Sequence, residues 1–282
     1  VNPIILICGN AGAGKDTVAD MLGRATQGAL IAQATPIKEF AKKVFGFSNE
    51  SLFGPSDARN QPDARYDLNT DQGPMSWADV YQSMDEWANE FAMTHLNHLS
   101  QPEYDRAAQV MANWFGALML EHGLVLQKSD EGYPMLLINN LNAPVLTPRR
   151  VLQTFGTEFG RAVDTFLWTN LALKTCQEAL IDNHSVAIIT DGRFRSEVLA
   201  VKKVGGTVVK IVTPTTGEKL NGHASETELD TIPDSWFDVI LLNNKELGLQ
   251  KLETVVRTEL VHVVRPGPGR LPLTVGTVRR KV

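Results

Sequence analysis

Residues 4–17, IILICGNAGAGKDT, constrain the fold more than any other stretch. The five apolar residues Ile4 to Cys8 read as a buried strand, and the run from Asp16 to Arg24 reads as the helix leaving a glycine-rich turn. Strand, G-x-x-x-x-G-K turn and helix together form the setting in which such a turn holds phosphate. The small residues Gly12, Ala13 and Gly14 let consecutive backbone N–H groups converge on phosphate oxygens at a helix N-terminus. Lys15 then supplies a point charge for the β- and γ-phosphates. Asp16 stands where Ser or Thr normally offers a hydroxyl to Mg²⁺, and Thr17 follows it. A carboxylate also serves a hard cation, directly or through water, so Asp16 and Thr17 are the expected metal-facing pair. The competing reading is a strand–turn–helix that binds nothing.

A chain of 282 residues fits one large domain or a domain with a substantial insertion. Its 43% hydrophobic and 21% charged residues suit a globular enzyme rather than a disordered chain. No apolar run approaches the roughly 18 residues of a membrane span. The first apolar segment lacks a basic flank, so no signal peptide is expected. Cys8 and Cys176 offer neither a disulfide framework nor metal spacing, and a cytoplasmic location is the expectation. Charge is uneven: residues 46–147 hold 14 acidic and 4 basic side chains, whereas the rest hold 18 acidic and 23 basic. A mildly cationic core suits a small anionic ligand better than a nucleic-acid backbone, so stable nucleic-acid binding is not expected.

Further strands are expected at 29–33, 185–191, 207–212 and 237–242, separated by helices, which argues a five-stranded parallel α/β sheet. Ligands of such sheets sit beyond the carboxyl ends of the strands. The phosphate loop, Asp191 to Arg193, the loop after Pro214 and the pair Asn243–Asn244 all fall there. The expected division is a core of residues 1–45 and 147–264, with a lid at about 214–234. An acidic, mainly helical insertion occupies 46–146, and a basic flexible tail follows at 265–282. Within the insertion, Ser76 with Asp79 and Ser100 with Glu103 look like helix starts, and 124–127 with 135–138 looks like a hairpin. Thr147–Pro148 reads as a cap and first turn, opening a helix that carries Arg149, Arg150 and Gln153. Moving a phosphoryl group requires cations around the transferring oxygens. The candidates outside the loop are Lys38, Arg59, Arg149, Arg150, Arg193 and Lys219. Asp191 closes an apolar strand, placed to hold Mg²⁺ through water, to bind the acceptor, or simply to cap the next helix.

Taken in order, these pieces resemble the deoxynucleoside monophosphate kinases of bacteriophages, a branch of the P-loop nucleotide kinases. The resemblance rests on Gly9 to Asp20, Pro36–Ile37–Lys38, Leu52 to Asn60, Arg149–Arg150 with Gln153, and Gly156–Thr157–Glu158. Trp168, Asp191–Gly192–Arg193, His223 with Ser225–Glu226, and Leu242–Asn243–Asn244 complete it, with Gly192, the insertion and the tail departing from the pattern. It implies a P-loop kinase fold, ATP and Mg²⁺ as cofactors, and transfer of the γ-phosphoryl of ATP to a deoxynucleoside monophosphate for DNA precursor synthesis. It further implies ATP binding by Gly12, Ala13, Gly14, Lys15, Asp16, Thr17, Lys219 and Asn244. The monophosphate would meet Lys38, Arg59, Arg149, Arg150, Gln153, Gly156, Thr157, Trp168, Asp191 and Arg193. Trp168 would stack on the base; Lys15, Arg150, Asp191 and Arg193 would be catalytic; Lys219 and His223 would sit in a lid. The location would be a host cytoplasm, with a homodimer left open. The rivals are another P-loop small-molecule kinase, acting on dephospho-coenzyme A or phosphomevalonate, and a nucleotide-gated binding protein without catalysis.

Overall fold

The computed structural model describes residues 3–96, 99–214 and 228–264. The chain divides into two compact units, one of residues 1–33 with 168–282 and one of residues 34–167. Lys219, His223, Ser225, Glu226 and most of the expected lid lie outside the described residues, as does the basic tail.

The first unit is built on strands β1 (Ile4–Cys8), β2 (Ala29–Ile31), β5 (Ala187–Gly192), β6 (Thr207–Val212) and β7 (Val239–Leu242). They form one sheet in the order β2-β5-β1-β6-β7, and every pairing is parallel. Because successive strand side chains point to opposite faces, a sheet covered on both faces needs continuous apolar strands. β1 meets that demand. Ile5 and Ile7 pack on one face with Val18 and Leu22 of helix α1 (Lys15–Thr26) and with Leu252, Val256 and Leu260. Ile4, Leu6 and Cys8 pack on the other face with Leu173 and Cys176 of α8 (Leu167–Ile181) and Val198 and Val201 of α9 (Arg195–Lys203). The five expected strands are all present in the parallel sheet.

The chain after β7 is not one continuous helix. Asn244 accepts from the Glu246 N–H and caps a 3₁₀ turn, Lys245–Leu247. Gly248 then takes φ +75°, separating that turn from helix α10 (Gly248–Val255). A π turn, Val256–Leu260, leads into α11 (Val261–Val264).

The second unit holds helices α2 (Thr35–Phe45), α3 (Asn49–Phe53), α4 (Gln72–His95), α5 (Gln101–Glu121), α6 (Pro148–Thr154) and α7 (Gly160–Val163). The antiparallel hairpin of β3 (Leu124–Lys128) and β4 (Pro134–Ile138) follows α5. Its core is aromatic: Phe40 stacks on Phe155 with centroids 3.7 Å apart, Phe155 stacks on Phe159, and Trp87 and Trp114 meet Phe155 edge-on. Ser100 opens α5 as expected, its N–H donating to the Glu103 carboxylate at 2.8 Å. Ser76 does not open α4, which begins four residues earlier at Gln72. Pro74 falls in the first turn, where no backbone N–H is required for the helix ladder.

Deleting buried methyl groups from the central strand should cost far more than the same change at the sheet edge. Leu6→Ala, at a fully buried position, is expected to lose about 2–5 kcal/mol. Leu30→Ala, at a position 49% exposed, should lose less than half as much. Chemical denaturation midpoints at constant slope check both.

Candidate functional site

The loop between β1 and α1 is shaped by two left-handed glycines, Gly12 at φ +72° and Gly14 at φ +89°, with Gly14 serving as the N-cap of α1. A side chain at residue 14 would also collide with a neighbour, because an added Cβ would lie 2.4 Å from Asn243 Nδ2. That Asn243 amide donates to the Ala13 carbonyl at 2.9 Å and fastens the loop to the end of β7. Lys15 folds back over the loop: its Nζ donates to the Gly9 carbonyl at 2.7 Å and to the Asn10 carbonyl at 3.0 Å. The ammonium is buried, and burial chiefly, with the nearby Arg193 guanidinium adding to it, lowers its pKa to about 8. Asp16 and Asp191 oppose that shift.

A cavity of about 470 Å³ opens beside this loop, lined by Gly12, Gly14, Lys15, Asp16, Thr17, Asn243, Lys245 and the apolar Leu249 and Leu252. Its polar end is a helix N-terminus carrying a lysine, a carboxylate and a hydroxyl, and its other end is aliphatic. Asp16 and Thr17 are hard oxygen donors that suit Mg²⁺. No group of three His, Cys, Asp or Glu with metal-binding geometry occurs among the described residues. Asn244, expected beside ATP, directs its side-chain oxygen to the Glu246 N–H, and Asn243 is the one that reaches the loop.

At the end of β5, Asp191 Oδ1 accepts the Gln33 N–H at 2.9 Å. Two residues on, the N–H groups of Arg193 and Phe194 both donate to one oxygen of Glu197, at 2.6 and 2.9 Å. Glu197 is buried, and burial outweighs those bonds, raising its pKa to about 7 with Asp191 adding to the rise. Nothing in the sequence marked Glu197 beyond its place three residues after a helix start. Trp168 lies in the first turn of α8 and is buried, 8% exposed.

In the second unit, Lys38 of α2 lies 4.6 Å over the ring of Phe53, itself 52% exposed. Arg59 donates to the Leu52 carbonyl at 3.1 Å. Thr147 caps α6 as expected, its oxygen accepting the Arg150 N–H. Arg149 donates to Asn60 Oδ1, and Arg150 forms a fork with the Glu121 carboxylate, with contacts at 2.6, 2.8 and 3.0 Å. Beyond Thr154 the helix widens into a π turn, Phe155–Phe159, that carries Gly156 and Thr157. Such turns are frequent at functional sites.

Residues 3–254 match the family model described as deoxynucleotide monophosphate kinase. The chain belongs to that family. Over 110 residues it is also 30% identical to a protein of Acanthamoeba polyphaga mimivirus named "Putative deoxynucleotide monophosphate kinase". That similarity covers 36% of this chain, and the chain spans 55% of the viral protein's length. Among the described residues of this family member, no helix is long and apolar enough to cross a membrane.

Two proton-linked outcomes follow from the buried charges. Lys15 is about half neutral near pH 8, and a bound polyphosphate favours its charged form. Titrating tripolyphosphate in buffers of different ionisation enthalpy should therefore show more proton uptake by the parent than by Lys15→Met at pH 8, with the difference shrinking at pH 6.5, so that the ligand's own protons cancel. Equal uptake by the two at pH 8 would place the ligand away from Lys15.

Glu197 holds its proton in the folded state up to a pH of about 7, against a usual value of 4.5. The stability it confers is thus full below about pH 4.5 and lost as pH rises through 7. Glu197→Gln, which stays neutral, should raise the melting temperature relative to the parent more at pH 8 than at pH 5.

Proposed function

We propose that the protein transfers the γ-phosphoryl group of ATP to a deoxynucleoside 5′-monophosphate, giving the diphosphate and ADP. The observation that supports this best is the loop after β1, where left-handed Gly12 and Gly14 open α1 and Lys15 folds over the loop carbonyls beside a cavity of about 470 Å³. A helix N-terminus with a lysine at its mouth suits a phosphate group. The family match adds the class of acceptor.

In this reading the loop N–H groups of Gly12, Ala13 and Gly14 hold the donor phosphates, and Lys15 exchanges its two carbonyl partners for phosphate oxygens. Asp16 and Thr17 would hold Mg²⁺, which when bound neutralises charge on the donor phosphates. The attacking group is a phosphate oxygen of the acceptor, already ionised at neutral pH, so the chemistry needs positioned cations more than a strong base. Arg193 supplies one such cation, and Asp191 lies on the acceptor side with it. Lys38, Arg59, Arg149, Arg150, Gln153, Gly156 and Thr157 of the second unit are assigned to the acceptor, with Trp168 beside its base. Lys219, Asn244 and the loop of 214–234 are assigned to ATP. A cytoplasmic location fits a supply of DNA precursors.

The test is a screen of the common ribo- and deoxyribonucleoside monophosphates with ATP and Mg²⁺, expecting turnover of at least one deoxynucleotide. Lys15→Ala should lower kcat by about 10²-fold or more while leaving the fold intact. Arg193→Lys, which keeps the charge and loses the planar fork, should impair the acceptor curve and spare the ATP curve. Parent-like kinetics for Lys15→Ala, or turnover only of acceptors outside the nucleotides, would overturn the reading.

A further inference from the structure

Gln33, Thr169 and Glu197 take no part in the reaction as described, yet they are polar and only 5%, 2% and 8% exposed. They make two sets of contacts, both ending on the turn after β5. Thr169 Oγ1 donates to Gln33 Oε1 at 2.8 Å, and the Gln33 backbone N–H donates to Asp191 Oδ1 at 2.9 Å. Gln33 Nε2 has no partner at hydrogen-bond distance. Glu197, separately, holds the Arg193 and Phe194 N–H groups. The two charged residues that close β5 are thus fixed from behind, Asp191 through its side chain and Arg193 through its backbone.

We infer that Glu197 is a positioning residue that sets the Asp191–Arg193 turn for the acceptor nucleotide, with Gln33 and Thr169 holding Asp191 beside it. This rests on the phosphoryl-transfer reading above. A plain capping box explains only part of the geometry. It accounts for the bond from Glu197 to the N–H of Phe194, the residue preceding α9. It does not account for the shorter bond to Arg193, which lies outside the helix in the turn from the strand. Binding both N–H groups with one oxygen fixes the peptide planes on either side of Arg193, and so the direction in which its side chain leaves the backbone. Gln33 performs the same service for Asp191, and Thr169 fixes the Gln33 amide.

The experiment compares Glu197→Leu, Glu197→Gln and Thr169→Val with the parent, varying acceptor at saturating ATP and then ATP at saturating acceptor. Folding is monitored by circular dichroism. Glu197→Leu leaves two N–H groups unpaired and should raise the acceptor KM or lower kcat by about tenfold or more, with the ATP KM within twofold. Glu197→Gln keeps an oxygen for both N–H groups and should stay within about threefold of the parent. Thr169→Val, which deletes a hydroxyl at nearly constant shape, should show a smaller loss on the acceptor side.

A folded Glu197→Leu with parent-like acceptor kinetics, or with a loss confined to ATP, overturns the inference. If Glu197→Leu does not fold, Thr169→Val decides: an acceptor-side loss supports the inference and parent-like kinetics overturns it. A parent that phosphorylates no nucleoside monophosphate overturns the phosphoryl-transfer reading itself. An active parent beside an indifferent Glu197→Leu overturns the positioning role alone.

Discussion

The parallel pairing of β1 with β5 on one side and β6 on the other is the constraint from which the first unit follows. A parallel neighbour cannot be reached by a tight turn, so each strand must be followed by a crossover, and the crossovers supply the helices that bury both faces. All five strands then end on one side. The loop after β1, Asp191 on β5 and Asn243 beyond β7 meet there because of strand direction. The chain runs outward from β1 to β2 in one direction and through β6 to β7 in the other. The carboxyl end of β1 is therefore the point where the sheet opens.

Burial of charge is what distinguishes that end of the sheet from the rest of the core. Lys15 and Glu197 are both nearly inaccessible, and each is held by backbone groups: carbonyls for the ammonium, N–H groups for the carboxylate. Such bonds only partly offset the loss of water, which is why both groups are displaced toward neutrality. An arrangement of this kind is stable only with its partners in place. The loop's geometry is fixed by its own backbone: its glycines hold left-handed angles, and Lys15 bonds the Gly9 and Asn10 carbonyls.

Much of this was legible in the sequence, for reasons that also explain what was not. Continuous apolar runs such as IILIC and VAIIT can hardly be anything but buried strands, and the glycine loop with Lys15 identifies itself by spacing. Local caps were readable where one side chain decides them, as at Ser100 and Thr147. The start of α4 was not, because a proline in the first turn looks like an interruption when the helix has no strong cap. Partners distant in sequence were invisible. Nothing in Asn243–Asn244 says which amide turns back toward residue 13, and nothing near residue 150 points to Glu121. The Glu197 bonds are local, yet a Glu three residues past a helix start is so common that only its burial makes it informative.

The acidic composition of residues 46–147 looks at first like an obstacle to an anionic substrate, since 14 acidic side chains oppose 4 basic ones. Three of those carboxylates are paired within their own unit: Glu121 with the Arg150 fork, Glu90 with Lys43 and Asp63 with Arg65. The other eleven leave the stretch net negative, so an anion would have to be met by local cations rather than by the field of the unit. The Arg150–Glu121 pair is also a modest tie, because its two side chains are 37% and 36% exposed and exposed pairs contribute about 1 kcal/mol or less. In the proposed reaction a dianionic phosphate therefore exchanges for Glu121 at small cost, taking over a guanidinium whose fork is already held open by the carboxylate. Glu121 holds the Arg150 side chain extended, and both groups keep more than a third of their surface in water.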